Sequence, residues 1–232
     1  MSARCGLIAF GAWEQHGPHL PPQTDTVIAE HLTGRLDGTR DLIALCSPVA
    51  VGMSDEHSWH PQTMSLPYDE FISETLAACV RLCHSYQVDR LLLLSCHGGN
   101  RPALEICARR LRSRHQIVAA VVSPLAFVGA VNSVPDVHAG HIETSLMLAI
   151  APAMVTMSRL NGLDFSTDWT HLRAVVSTRG VSLPWNSDDR NVACHGILGD
   201  PRGATATDGA TYLSRIVAGI WTAHDILWTW SQ

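Results

Sequence analysis

Four short segments carry the side chains best suited to chemistry in this chain of 232 residues. Glu14 and His16 lie two residues apart, so an extended backbone turns a carboxylate and an imidazole to the same side. Asp25 follows nine residues later, and His97 precedes a Gly-Gly pair that permits close approach of backbone and ligand. The segment His138–Glu143 adds an imidazole and a carboxylate. A mixed set of His, Asp and Glu suits Zn²⁺, Mn²⁺ or Fe²⁺.

Each of these residues has a simpler interpretation when it is taken alone. Asp25 could cap a following helix, and Glu143 could interact with a helix dipole in the first turn. His97 could be a hydrogen-bonded residue at the end of a strand. Taken together, the set favours a metal centre in which two ions share a bridging carboxylate, activate a water at neutral pH and polarise a carbonyl oxygen.

The composition excludes several other chemistries. All 16 basic residues are Arg, so no Schiff-base lysine or phosphate-binding P-loop lysine exists. The sequence contains no Gly-x-Ser-x-Gly, Cys-x-x-Cys or His-Glu-x-x-His motif. Cys96 adjoins His97 but ends an apolar run, which indicates an inert, packed thiol.

The net charge and the cysteines indicate the kind of partner and the cellular compartment. The formal charge is −5, and the one basic run, 109–114, is typical of a solvated helix face, so nucleic acid is not expected as a partner. Seven cysteines, an odd number lying mostly in apolar runs, predict reduced, buried thiols. No segment reaches the roughly 18 apolar residues of a membrane span, and the first ten residues do not resemble a signal peptide. We therefore expect a cytoplasmic protein without a membrane partner.

The elements that must position these residues follow from the hydrophobic pattern. Alternating strands and helices predict an α/β fold with right-handed crossovers and a mainly parallel sheet, in one domain over 1–232. Ligands bind beyond the carboxyl ends of such strands, so the four segments are expected to converge on one edge. The predicted strands are 6–10, 42–51, 90–95 and 117–122, and the predicted helices are 24–36, 68–86, 100–115, 142–150 and 204–230.

The segment 11–25, with Glu14-Gln-His16-Gly followed by Thr24-Asp25, resembles the opening motif of the creatininase family of amidohydrolases. Three further blocks resemble that family in the same order along nearly the whole chain. They are Cys96-His97-Gly-Gly-Asn100, His138-Ala-Gly-His-Ile-Glu143-Thr-Ser and Gly199-Asp-Pro-Arg-Gly-Ala-Thr205.

The resemblance implies a three-layer α/β/α sandwich, commonly assembled into hexamers, with two divalent metal ions at the sheet edge. Carried over by position, it implies that Glu14, His16, Asp25 and His97 are ligands, with Asp25 bridging. In creatininase a Glu stands two residues after the motif His, whereas Gly99 stands here. We therefore expect Glu143 to supply that carboxylate, as in the His-Gly-Gly-Asn branch, and a substrate other than creatinine.

That branch implies cleavage of a C–N amide bond in a cyclic amide, a formamide or a peptide-derived amide. We expect water activated at the metal centre to attack the carbonyl, while His138 passes a proton to the leaving nitrogen. The substrate pocket is expected to include His57, Trp59, His60, Asn100 and Trp185.

Three alternatives stay open at this point. The first is a mycofactocin-type precursor peptide peptidase, which residues 143–148 and 196–201 resemble most. The second is a non-catalytic scaffold that binds a metal or a small ligand with the same residues. The third is a metal-dependent phosphatase or nuclease, which the negative charge and the lack of Lys disfavour.

Overall fold

In the part of the chain that the structure describes, four parallel strands form the central sheet, in the order β2-β1-β3-β4. They are β1 (Cys5–Phe10), β2 (Leu42–Ala44), β3 (Arg90–Ser95) and β4 (Val118–Val122). The structure is a computed structural model that describes residues 4–131, 135–165, 170, 171, 173 and 184–230. β1 and β3 occupy the middle of the sheet and pair over six residues each. Both continuous apolar runs are therefore covered on two faces, as the sequence predicted for β3.

Within the described residues, five α-helices of ten or more residues cover the two faces and complete a three-layer α/β/α sandwich, which confirms the predicted fold class. They are α1 (Thr24–Leu36), α2 (Tyr68–Tyr86), α3 (Arg101–His115), α4 (His141–Ile150) and α5 (Ala206–Trp230). Helices α1, α4 and α5 pack on one face, and α2 and α3 pack on the other.

The alternation of side chains along β1 divides the core between the two faces. Leu7 and Ala9 contribute to the cluster under α1, α4 and α5. Ile8 and Phe10 contribute to the cluster under α2 and α3, where the rings of Phe10 and Phe71 meet edge to face at 6.0 Å. The sheet is thus anchored on both sides, and the loops at its carboxyl edge are held in fixed positions.

The second strand is shorter than predicted. The sequence predicted a strand over 42–51, but β2 ends at Ala44, and only an isolated bridge joins Val49 to Phe10 farther along. Pro48 lies between these pieces, and proline has no N–H with which to continue a ladder. The N–H groups of Leu45 and Val49 still donate to β1, so the loop that follows stays attached beside Glu14.

The predictions for the basic run and for the cysteines are confirmed. The four arginines of the run 109–114 are exposed on α3. All seven cysteines are free, and five of them are buried. Burial raises the pKa of the Cys96 thiol well above its usual range, in keeping with an unreactive side chain. Within the described residues, no helix combines the length and the apolar character needed to cross a bilayer.

Candidate metal centre

The four segments singled out by the sequence meet at the carboxyl edge of the sheet. Glu14 and His16 follow β1, His97 follows β3, Asp25 lies in the first turn of α1 and Glu143 in that of α4. All five residues are at most 6% exposed. Asp25 does not cap α1, because no side-chain cap hydrogen bond is formed there, so its carboxylate faces the cluster.

Three imidazoles surround one carboxylate oxygen of Glu14. Glu14 Oε1 lies 3.2 Å from His97 Nδ1, 3.3 Å from His138 Nδ1 and 3.4 Å from His57 Nε2. Asp25 Oδ2 also approaches His97 Nδ1, at 3.5 Å. Atoms that bind one ion tetrahedrally at about 2.0–2.2 Å are separated by distances of this order.

A second group lies on the other side of Asp25. Asp25 Oδ1 is 3.4 Å from His16 Nε2, which is in turn 3.8 Å from Glu143 Oε2. The two oxygens of Asp25 therefore face different imidazoles. This is the arrangement that a carboxylate bridging two ions requires.

Backbone carbonyls fix the orientation of three of the imidazoles. His97 Nε2 lies 2.7 Å from Met53 O, His138 Nε2 lies 2.7 Å from Gln15 O, and His16 Nδ1 lies 3.0 Å from Glu14 O. A carbonyl only accepts, so each of these ring nitrogens carries the hydrogen. The opposite nitrogen of each ring faces a carboxylate. It carries a second proton where the ring is charged, and it offers a lone pair where a metal ion takes the place of that proton. A cation must lie between two such acceptors, and outer carbonyls of this kind are usual behind metal-binding histidines.

The same atoms lack hydrogen-bond partners. Both carboxylate oxygens of Glu14, both of Asp25 and Nε2 of His16 are buried without one. Burying a charged group unpaired is expensive, so a set of orphaned oxygens and one orphaned nitrogen fits a divalent cation. Three overlapping groups of residues have ligand atoms close enough to hold an ion: Glu14/His16/Asp25, His16/His138/Glu143 and Glu14/His57/His138.

The pKa shifts show how strongly the carboxylates attract positive charge. Burial alone would lower the pKa of His16 and His97, but the neighbouring carboxylates, chiefly Asp25 for His16 and Glu14 for His97, raise each to about 10. Burial also raises the pKa of Asp25, and it raises that of Glu143 to about 8. Protons or metal ions can satisfy this attraction.

The two remaining imidazoles behave differently. Burial lowers the pKa of His138 well below its usual range, and neighbouring His57 and His16 lower it further. Burial likewise lowers the pKa of His57 to about 4, although Glu14 opposes the shift. The two rings stack with centroids 4.1 Å apart. Both are therefore neutral imidazoles beside the carboxylate cluster.

A cleft of about 610 Å³ opens onto the cluster. Trp185, predicted for the substrate pocket, lies on its wall and meets the ring of His57 edge to face at 6.1 Å. His57, also predicted for the pocket, lines the cleft and in addition approaches Glu14. Carboxylates of Asp55, Glu56 and Glu143 line the cleft, and no Arg does so among the described residues.

The structure places three other predicted pocket residues elsewhere. Asn100 is fully buried, and its amide accepts from Met53 N and donates to Gly11 O, so it joins two site loops. Trp59 and His60 line a second cleft, of about 600 Å³. That cleft also contains Gln15 but none of the five predicted metal ligands.

Sequence reasoning missed three residues that organise the site. Gln15 and Ser187 are buried and lie against His57, and Glu56 Oε1 lies 3.6 Å from His97 Nε2. Gln15 stands between the predicted ligands Glu14 and His16, and this position in the sequence could have marked it as a residue of the site. Ser187 has no comparable signal, because only the fold brings it to the loop after β2.

An α/β/α sandwich with buried imidazoles and carboxylates at its carboxyl edge has the side chains that a metal-dependent hydrolase requires. The family model for creatininase, described as creatinine amidohydrolase, matches residues 2–223, and the chain belongs to the creatininase family. The protein is accordingly a metal-dependent amidohydrolase that acts on C–N amide bonds.

Two relatives agree with this assignment. The mycofactocin precursor peptide peptidase of Mycobacterium ulcerans (strain Agy99) is 33% identical over 224 residues, which cover 91% of this chain and 80% of the relative. A 2-amino-5-formylamino-6-ribosylaminopyrimidin-4(3H)-one 5'-monophosphate deformylase of Methanothermus fervidus is 26% identical over 165 residues, covering 69% and 60% of the two chains.

Two solved structures share the fold. A putative creatinine amidohydrolase from Bacteroides fragilis NCTC 9343 superposes with a TM-score of 0.74 at 21% identity, covering 98% of this chain and 90% of the other. A creatininase with Mn superposes with a TM-score of 0.71 at 22% identity, covering 96% and 90%.

Proposed function

We propose that this amidohydrolase uses two divalent metal ions to cleave a small or peptide-derived amide bound in the cleft between His57 and Trp185. The observation that carries the proposal is the orientation of His16, His97 and His138. Each turns a lone pair towards buried carboxylates that have no other partner.

Glu14, His97 and one oxygen of Asp25 would hold the first ion. His16, the other oxygen of Asp25 and Glu143 would hold the second. Ligands that are all nitrogen or oxygen suit Zn²⁺, Mn²⁺ and Fe²⁺. Mn²⁺ is the first ion to test, since a creatininase of the same fold is described with Mn.

Ions at these positions would activate a water at neutral pH and polarise the substrate carbonyl. His138 then moves the proton. Its Nε2–H is held by Gln15 O, so Nδ1, which lies 3.3 Å from Glu14 Oε1, is the nitrogen that would take a proton from the attacking water and pass it to the leaving nitrogen as the C–N bond breaks. The neutral ring at pH 7 suits the first of these steps.

A peptide-derived amide is the substrate class that the relatives favour. The mycofactocin precursor peptide peptidase shares 33% identity over most of both chains, whereas the deformylase matches a smaller share of each. A cleft of about 610 Å³ lies within the range of about 300–1,000 Å³ that is usual for ligand pockets, so it can take a short part of a peptide. We therefore propose a precursor-peptide peptidase activity as the first to assay, and formamide hydrolysis as the second.

The test is a comparison of Asp25→Ala with Asp55→Ala. Asp55 is an exposed carboxylate at the cleft wall and takes no part in the cluster. We expect Asp25→Ala to lose metal and activity against a panel of peptides and formamides, and Asp55→Ala to retain its metal. Full metal content and full activity in Asp25→Ala would refute the bridging assignment.

We also propose a cytoplasmic location and assembly into a homo-oligomer. The oligomeric state that the family implies is a hexamer. Exposed apolar side chains on α5, namely Ile226 at 58% and Trp230 at 78% exposure, are consistent with a further contact surface. Mass measurement in solution would test the oligomeric state.

A further inference from the structure

The side-chain amide of Gln15 has a fixed orientation. Its Oε1 accepts from Gly17 N at 2.9 Å, and its Nε2 lies 2.8 Å from Gly196 O. A backbone N–H must face an oxygen and a backbone carbonyl must face an N–H. The opposite flip of the amide would break both contacts, so Nε2 is the donor end.

That donor end faces one ring nitrogen of His57. Gln15 Nε2 carries two hydrogens, and one of them goes to Gly196 O. Its other neighbours are His57 Nδ1 at 2.9 Å, Ser187 Oγ at 3.1 Å and His138 Nε2 at 3.1 Å. His138 Nε2 already donates to Gln15 O, so the second hydrogen points to His57 Nδ1, the nearest remaining acceptor, and Nδ1 carries no hydrogen.

Ser187 Oγ accepts from Trp59 Nε1 at 2.8 Å, and its own hydrogen has two acceptors within reach, His57 Nδ1 at 2.7 Å and Glu56 O at 3.3 Å. The nearer acceptor is His57 Nδ1, so Ser187 can be a second donor to that nitrogen. Ser187 is fully buried, so water does not compete for these contacts.

The ring of His57 therefore carries its hydrogen on the side that faces the carboxylates, unlike the other three rings. With Nδ1 bare, His57 carries its hydrogen on Nε2, the atom that lies 3.4 Å from Glu14 Oε1. His16, His97 and His138 instead turn bare nitrogens to the carboxylates. Although Glu14, His57 and His138 lie close enough to hold an ion, His57 has no lone pair on that side to give.

We infer that His57 is a positioning residue, not a metal ligand: it points an N–H at Glu14 and holds that carboxylate towards the centre, while Gln15 and Ser187 set its tautomer. This inference rests on the proposed metal centre and adds a residue to it. Of the four imidazoles, three are then candidate metal ligands or proton carriers, and that of His57 is a hydrogen-bond donor to Glu14.

Nuclear magnetic resonance of the ¹⁵N-labelled, Zn²⁺-loaded full chain reads the tautomer directly. We expect long-range ¹H–¹⁵N correlations to show the hydrogen of His57 on Nε2, with the signals assigned by their loss in His57→Gln and, as a second variant, His57→Asn. A hydrogen on Nδ1, or a metal-shifted Nε2 signal, would overturn the inference.

Metal content gives an independent readout. His57→Gln keeps an amide N–H near the position of Nε2, so we expect it to bind as many equivalents of Zn²⁺ as the unaltered chain. His60→Gln, on the same loop but in the second cleft, is the control and should change nothing. Loss of one metal equivalent in His57→Gln would show that His57 is a ligand.

A third variant separates this inference from the proposed centre. His97→Gln should lose metal if His97 is a ligand. If His97→Gln retains all its Zn²⁺, the proposed ligand set is wrong, while the tautomer of His57 still stands or falls on its own signal.

Discussion

Gly99 lies against the imidazole of His97 so closely that a Cβ on residue 99 would overlap His97 Nε2 and Met53 O. The same Cβ would come 2.8 Å from Glu56 Oε1. A side chain at position 99 is therefore incompatible with the hydrogen bond that orients His97. The glycine is required by the site and not by the backbone conformation, because it does not have a positive φ.

The pair Gly99→Ala and Gly98→Ala tests this relationship. A Cβ at Gly98 meets no atom within 4 Å, so that variant should retain its metal. Gly99→Ala should displace His97 and lower metal affinity by about 10–100-fold, the usual effect of disturbing an outer partner of a ligand. Metal titration of both variants is the measurement, and equal affinities would contradict the proposed role of His97.

His138 is expected to affect turnover more than metal binding. Replacing His138 by Gln should lower kcat by about 10²–10⁴, the range for a lost general acid or base, while metal content stays unchanged. His141→Gln is the matched control, because His141 begins α4 beside Asp208 and faces away from the cluster. If His138→Gln loses a metal equivalent, His138 is a ligand and not a proton carrier.

Metal binding is expected to release protons near neutral pH. Carboxylates raise the pKa of His16 and His97 to about 10, so both rings hold protons at pH 7 until a metal ion displaces them. Below this pKa of about 10, the apparent affinity for the metal ion should rise with pH, by about tenfold per pH unit for each proton released. Calorimetry in buffers of different ionisation enthalpy measures the release. Identical binding enthalpies in all buffers would contradict it.

Two glycine substitutions of the same kind should change stability in opposite directions. Gly209 of α5 packs against α4, where a Cβ would overlap Ser145 O, so Gly209→Ala should destabilise by about 1–3 kcal/mol. Gly34 lies exposed in α1 with no atom near its Cβ position, so Gly34→Ala should stabilise by up to about 1 kcal/mol. Denaturant unfolding compares the two. A stabilised Gly209→Ala would mean that α4 and α5 pack less closely than described.

The sequence predicted most of the fold because its signals were local. Apolar runs such as Arg90–Ser95 and amphipathic runs such as Tyr68–Tyr86 are long and regular, and both elements lie where the pattern placed them. The end of β2 was missed because Pro48 interrupts a run that is otherwise apolar. The convergence of Glu14, Asp25 and His97 followed from the rule that parallel strands place their ligands at one edge.

The wall of the cleft was harder to predict, because it depends on contacts between distant segments. Trp59 and His60 stand beside His57 in the sequence, yet the short turn Asp55–His57 sends them to a different cleft. Ser187 reaches His57 from 130 positions away. Asn100 was expected to meet the substrate, but its amide joins the loops after β1 and β2. No periodicity or motif in one sequence encodes such pairings.

Removal and restoration of metal test the central claim most directly. The protein should lose amide hydrolysis against peptides and formamides on dialysis with a chelator, and Mn²⁺, Zn²⁺ or Fe²⁺ should restore it as two equivalents per chain are taken up. A metal-free preparation that hydrolyses the same amides as fast as the loaded one would contradict the account.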